Sequence, residues 1–299
     1  MGSKIPIYPD FKKIEIEDKD FFNKVLYKFP PYSDFNLLSI LSWGAMGGNC
    51  FSTLNGNLVI KIKDYLSDNF QYSIIGESEI DLSLHKLLSD FNSLSFVPEV
   101  VINQIKSTNE FKVTHDRDND DYVISLPRLT KLEGADLRTL RHHLNVFTGF
   151  FPSHQVEVLD VTNADTMDEI RALNMKWFAE KNFDEEKQRQ QAAIVETFFK
   201  YSSQFNCVHL GLFIDDKMVT YYSNEILKSK IIMGHFGAIT NKDFKDCVSM
   251  MQYEVARFFV NQGYSFQNVE QDTGLSGLRQ AKLSYDPEYF LKKYSITLN

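Results

Sequence analysis

Apolar residues in this chain follow two periods, and the periods divide it into helices and strands. Alternating or continuous apolar runs at Leu58-Val59-Ile60-Lys61-Ile62 and Tyr72-Ser73-Ile74-Ile75 predict strands. A helical pattern over 80–91 separates them from the apolar run 100–105. Further on, Leu137, Leu140, Leu144, Phe147 and Phe151 recur three and four apart, the spacing of a buried stripe. Arg138, Arg141, His142 and Asn145 fall on the opposite side of the same helix. Asp136 suits its start, Gly149 and Pro152 its end, and its place in the chain suggests a connector between two halves. The second half reads as a strand at 156–159 and helices at 165–180 and 185–201. A β-rich block follows at 208–214, 218–226 and 231–239, turning at Asp215-Asp216. A helix over 244–260, a strand over 266–269 and a short helix over 276–283 complete it. Helices alternating with strands over this length predict an α/β (α+β) protein with mixed sheets flanked by helices. The expected domains are 1–150, including the connector helix, and 151–299.

Composition narrows the partners. With 43% hydrophobic and 24% charged residues the chain is globular, and its 25 Phe and 14 Tyr are ample for two cores. The formal charge of −8 disfavours non-specific binding to bulk nucleic acid, while a local basic face remains compatible with it. Three scattered cysteines without a CxxC pair suit a reducing compartment and argue against a disulfide framework or zinc site. No apolar run is long enough to span a bilayer, and the first residues lack a signal-peptide core, so a cytoplasmic protein without a transmembrane segment is expected. The acidic run Asp116-Arg117-Asp118-Asn119-Asp120-Asp121 has Asp121 and Pro127 where a calcium loop needs Gly and Glu. It is read as a solvated loop, and no metal is expected.

Two stretches carry a resemblance. One runs from Asp121-Tyr122 through Leu132-Glu133-Gly134 to Arg138-Thr139-Leu140-Arg141-His142-His143-Leu144-Asn145-Val146-Phe147. The other is Asn268-Val269-Glu270-Gln271-Asp272-Thr273-Gly274-Leu275-Ser276-Gly277-Leu278-Arg279-Gln280-Ala281-Lys282-Leu283-Ser284-Tyr285-Asp286-Pro287. Together they resemble the C-terminal domain of bacterial phosphatidylglycerol lysyltransferases, here as a stand-alone member. The second stretch follows the family's Asn-x-Glu-x-Asp-x-Gly-x-x-Gly-Leu-Arg-x-Ala-Lys-x-Ser-Tyr-x-Pro almost position for position. The resemblance implies tandem acetyltransferase-like (GNAT-like) domains, and the order helix, helix, meander, helix, strand in the second half agrees with it. In the membrane-anchored members this unit moves an aminoacyl group from a charged tRNA to phosphatidylglycerol. The sequence departs from the pattern at Arg141-His142-His143-Leu144-Asn145, one basic residue short of Lys-Arg-Asn-His-Ile-Asn. It also lacks a Glu-Lys pair near Gly234-His235-Phe236-Gly237-Ala238.

The chemistry implied is undemanding in covalent terms, because a tRNA ester is already activated. The protein must position an amine or hydroxyl, remove a proton and stabilise an oxyanion. Glu270 and Asp272 lie two apart, so both face one side if the strand stays extended. They suit an ammonium or a base, and equally a pairing with Arg279 and Lys282. Arg279 and Lys282 share a helical face suited to phosphate or carboxylate. Tyr285 suits an acceptor or an oxyanion, and packing equally. Arg138, Arg141, His142 and Asn145 suit tRNA phosphates or a solvated face. Glu225 and His235 fall on the meander, in a cleft or on the sheet surface. The run Gly44-Ala45-Met46-Gly47-Gly48 matches no phosphate fingerprint and reads as a loop. The stretch 237–244 lacks the glycine turn that cradles a coenzyme pyrophosphate, so no cofactor is expected. The expected activity is aminoacyl-tRNA-dependent transfer to a small-molecule or lipid-headgroup acceptor. The rival readings are an acyl-CoA-dependent N-acyltransferase and a non-catalytic ligand-binding protein of the same fold.

Overall fold

A computed structural model describes residues 5–64, 69–228, 230–238 and 243–299. The chain forms two compact units: Met1–Asp121 with Gln271–Leu275 and Phe290–Asn299, and Tyr122–Glu270 with Ser276–Tyr289.

The first unit begins with β1 (Lys12–Lys13), α1 (Lys19–Leu26), α2 (Leu37–Trp43), β2 (Cys50–Leu54), β3 (Asn57–Lys63) and β4 (Phe70–Ile75). It continues through α3 (Ile80–Phe91), β5 (Ser93–Pro98), α4 (Glu99–Ile102) and β6 (Phe111–His115). The four strands β1 to β4 pair antiparallel in chain order. In α3 the apolar residues Ile80, Leu84, Leu87 and Leu88 are all buried, so the periodic stripe is the face against the core. Asn36 caps α2 by accepting from the Ser39 N–H at 2.9 Å. The run 44–48 is the loop after α2, and Gly47 and Gly48 take positive φ there.

The second unit holds β7 (Asp121–Ser125, its first residue counted with the first unit), α5 (Leu126–Lys131), α6 (Arg138–Phe150), β8 (Gln155–Val158), α7 (Ala164–Glu180) and α8 (Glu185–Ser202). After these come β9 (Cys207–Ile214), β10 (Lys217–Ile226), β11 (Ile231–Gly234), α9 (Cys247–Val260), β12 (Phe266–Asn268) and α10 (Ser276–Leu283). Its sheet runs β7-β12-β11-β10-β9-β8. Pairing is antiparallel except between β11 and β12, which are parallel. Asp215 and Asp216, at φ 50 and 58, form the β9–β10 turn in the left-handed geometry that matches strand twist.

β13 (Tyr289–Leu291) straddles the division, and β14 (Lys293–Leu298) returns to the first unit as the centre of a sheet ordered β5-β14-β6.

Three expectations need correction. The helix read as a connector is α6, which lies inside the second unit and packs on α9. Its stripe is the reason, since Leu137, Leu140, Leu144 and Phe147 are all buried. The strand expected over 231–239 ends at Gly234, and the positions 239–242 of the tested glycine turn lie outside the described residues. The acidic run is a solvated loop only in part, because Asp118 is exposed while Asp120 and Asp121 are buried. Among the described residues no helix is long and apolar enough to cross a membrane.

Candidate functional site

Three neighbouring strands of the second unit each release one ionisable side chain at the same end of the sheet. β10 carries Tyr222, Ser223, Asn224 and Glu225, and Asn224 pairs with Gly234 of β11. Gly234 is needed here, because a Cβ would come within 2.4 Å of the Tyr222 hydroxyl. Past Gly234, the His235 N–H donates to the Ser223 carbonyl at 2.9 Å, and the Ser223 N–H donates to the Phe236 carbonyl at 2.8 Å. These bonds fix His235 just beyond the strand. β12 runs parallel to β11 with Asn268 opposite Met233, and then ends. Glu270 follows at φ 59, its N–H donating to Asn268 Oδ1 at 2.7 Å. That turn swings the Glu270 side chain toward His235.

The His235 ring has no solvent-exposed surface. Nε2 lies 3.1 Å from Glu225 Oε2, and Nδ1 lies 3.3 Å from Glu270 Oε1. Phe198 of α8 packs against the ring, centroids 5.4 Å apart. Burial alone drives the imidazole toward the neutral form, but the hydrogen bonds it donates to both carboxylates carry its pKa up to about 9. His209 on β9, with Nδ1 2.8 Å from Ser223 Oγ, has no such partner. Burial, helped by the charge on His235, pushes it down to about 4. At neutral pH the cluster is therefore two carboxylates around one imidazolium, with a net charge near −1. Glu270, with 19% of its side chain exposed, is its more open end. The hydroxyls of Tyr222 and Tyr285 have their pKa raised by burial, that of Tyr222 also by the nearby Glu270, so both remain proton donors.

The remaining sequence candidates divide. Asp272 does not share a side with Glu270, because β12 has already ended and both Glu270 and Thr273 adopt positive φ. Its buried carboxylate belongs to the first unit. There it accepts from Arg117 Nη1 at 3.3 Å and from the Gly274 N–H at 2.8 Å. Tyr285 lies in the buried region beside Tyr222. On α10, Lys282 is buried with its ammonium 5.9 Å from the Tyr122 ring centre, and Arg279 is half-buried. On α6, Arg138, His142 and Asn145 are exposed. Arg141 is not available to phosphates in the same way. Its Nη1 donates to the carbonyls of Leu132 at 2.5 Å and Gly134 at 2.7 Å, tying the preceding turn to the helix.

Sequence reasoning passed over Tyr222, which no motif marks, and a second charged cluster in the first unit. There Lys293, fully buried, pairs with Asp34 and with Asp121 at 2.7 Å, and donates to Ser33 Oγ at 3.1 Å. Asp121 in turn accepts from the Ser33 N–H at 2.7 Å. Burial lowers the affinity of Lys293 for its proton, but Asp121 and Asp34 reverse this and raise its pKa. Asp121 opened the first resembling stretch. Lys293 sat in an ordinary strand pattern with no sequence signal.

The sequence profile described as phosphatidylglycerol lysyltransferase, C-terminal, matches residues 77–297. Among curated proteins, none matches the chain. Among solved structures, a conserved protein of unknown function from Bacteroides thetaiotaomicron is similar at a TM-score of 0.79 and 21% identity, covering 97% of this chain and 99% of that one. The C-terminal DUF2156 domain of a protein described as a lysylphosphatidylglycerol synthetase from Agrobacterium fabrum gives 0.64 and 13%, covering 95% and 92%. L-PGS from Bacillus licheniformis gives 0.62 and 16%, covering 99% and 94%. The fold is of the GNAT-like kind, with several mixed sheets flanked by helices.

Proposed function

The chain belongs to the phosphatidylglycerol lysyltransferase C-terminal family, and from that premise we propose that it takes an aminoacyl group from an aminoacyl-tRNA and passes it to a small-molecule or lipid-headgroup acceptor. The family's name places its activity in the class of aminoacyl transfer. The observation that carries the finer reading is His235 held between Glu225 and Glu270.

An imidazolium with a pKa near 9 is a poor base at neutral pH, and both of its N–H groups point at carboxylates. His235 therefore positions the two glutamates. A carboxylate accepts several donors at once, so a site with net negative charge and partly apolar walls suits an ammonium, the charge every aminoacyl donor carries. Glu270, the more accessible carboxylate, suits the group that takes a proton from the acceptor as it attacks the ester carbonyl and returns it to the tRNA ribose oxygen, which leaves as the ester C–O bond breaks. Tyr222 and Tyr285, kept protonated by burial, are the hydroxyl donors in the same region for the negative oxygen that develops.

The test is transfer from labelled aminoacyl-tRNAs to extracted metabolites and lipids by the whole chain. Glu270→Gln keeps the shape and removes the charge, and is expected to cut transfer about 100-fold or more, in the range of a lost acid–base group. Glu225→Gln is expected to raise the KM for the donor more than it lowers kcat. Full activity in Glu270→Gln would remove the cluster from the mechanism.

A further inference from the structure

The sheet β1 to β4 of the first unit is covered on one face, and over its outer half its other face carries exposed and half-buried residues. The register sets that face. Lys13 pairs with Cys50, Cys50 with Lys61, Lys61 with Tyr72, and Lys63 with Phe70. Side chains directly opposite in an antiparallel sheet share a face, so these six residues point the same way. The intervening residues Phe51, Ile60, Ile62 and Ser73 are buried in the core. The other face therefore presents three lysines, two aromatic rings and a cysteine, with no carboxylate among them. In a chain whose formal charge is −8, this is a local reversal of sign.

The rings are arranged as a platform. Tyr72 stacks on Phe91 with centroids 3.7 Å apart and planes within 7°. Phe11 braces both rings edge-on, at 6.2 and 6.4 Å. Phe70 is 39% exposed, and Gly48 lies so close to the tip of its ring that a Cβ would fall 2.4 Å from it. Lys61 bridges the two strand aromatics, its ammonium 4.3 Å from the centre of Phe70 and 6.0 Å from that of Tyr72. Among the described residues, Asp90 is held by Tyr8 and by Lys86 at 2.9 Å, and Asp64 follows the end of β3.

We propose that this face binds single-stranded RNA, with an unpaired base resting on the exposed ring of Phe70, Tyr72 and Phe91 bracing the platform beside it, and the backbone phosphates on Lys13, Lys61 and Lys63. Aromatic side chains on a sheet, flanked by cations, take bases through their π-faces and need them unpaired, so a duplex is excluded. The inference deepens the reading of an RNA-borne donor, and rests on that reading only for the identity of the natural RNA.

The experiment is fluorescence anisotropy of the whole chain with a labelled single-stranded 12-nucleotide RNA of mixed sequence, across a salt series. Three phosphate contacts predict that log K falls with log salt at a slope of about −2, and Lys61→Gln is expected to lessen that slope by about 0.7. Phe70→Ala, at an exposed position, is expected to weaken binding roughly 5- to 150-fold without moving the melting temperature, the range for a lost base stack. Absence of binding, equal binding of the matching duplex, or unchanged binding in both variants would overturn the proposal. Aminoacyl transfer by a chain that binds no oligonucleotide sinks this inference and leaves the transfer reading standing. RNA binding that Phe70→Ala and Lys61→Gln weaken, without any transfer, supports the inference and counts against that reading.

Discussion

Burial normally strips a histidine of its proton, and His209 obeys, while His235, two strands across the sheet, is held charged by two glutamates. The pair gives a pH signature. His235 has a pKa raised from 6.5 to about 9, so its stabilisation is complete below pH 6.5 and is lost as pH climbs through 9. His209 has a pKa lowered to about 4, so it stabilises above pH 6.5 and that contribution goes as pH falls through 4. Stability is expected to peak near pH 6.5, with the alkaline limb losing on the order of 3 kcal/mol. Melting temperatures taken from pH 4 to 9 check this. His209→Gln should flatten the acid limb alone, and a curve without either limb would refute the assigned charges. Glu225 and His235 were visible in the sequence as polar residues on a meander. Their meeting with Glu270 was not, because it depends on β11 lying parallel to β12 and on a left-handed backbone at Glu270. Alternation puts Glu270 and Asp272 on one side only if the strand stays extended, and β12 ends at Asn268 before either.

Among elements, α6 separates what periodicity can and cannot say. Its apolar stripe was legible residue by residue, and so were α3 and α10, whose bounds Ile80–Phe91 and Ser276–Leu283 are those the pattern predicts. The polar face looked uniform in sequence, yet Arg138 is exposed while Arg141 binds two backbone carbonyls. Spacing places a side chain on a face, but the turn it reaches back to is set by tertiary geometry. Arg141→Ala is expected to cost about 1–3 kcal/mol, as for lost hydrogen bonds to a charged group. Arg138→Ala should change stability by less than about 0.5 kcal/mol. Urea denaturation of the two single variants separates them, and equal midpoints would show that the Leu132–Gly134 tie contributes nothing. β11 fell short of its expected length because its register with β10 stops at Gly234, where the chain must turn to place His235.

For the molecule as a whole, the path of the chain matters more than any one contact. The first unit draws its parts from Met1–Asp121, Gln271–Leu275 and Phe290–Asn299, and β14 from the last segment fills the middle of a three-stranded sheet. Lys293 on that strand neutralises Asp34 and Asp121 in a fully buried site. Removing one partner of such a group leaves a charge without compensation, so Lys293→Ala is expected to destabilise the first unit by about 3–5 kcal/mol. Hydrogen exchange should report the loss first in β5 and β6, the two strands that pair with β14. None of this could be read from the sequence, where a lysine near residue 293 and aspartates near 34 and 121 carry no mark of one another. The same connectivity sets an order of events during synthesis. A ribosome making roughly 5–20 residues per second releases every residue of the second unit before Lys293 is free to move. Until then the N-terminal segment waits with two aspartates unneutralised and a sheet missing its middle strand. A fragment ending at residue 289 should consequently leave β5 and β6 unprotected against protease, and adding a 290–299 peptide in trans should restore them.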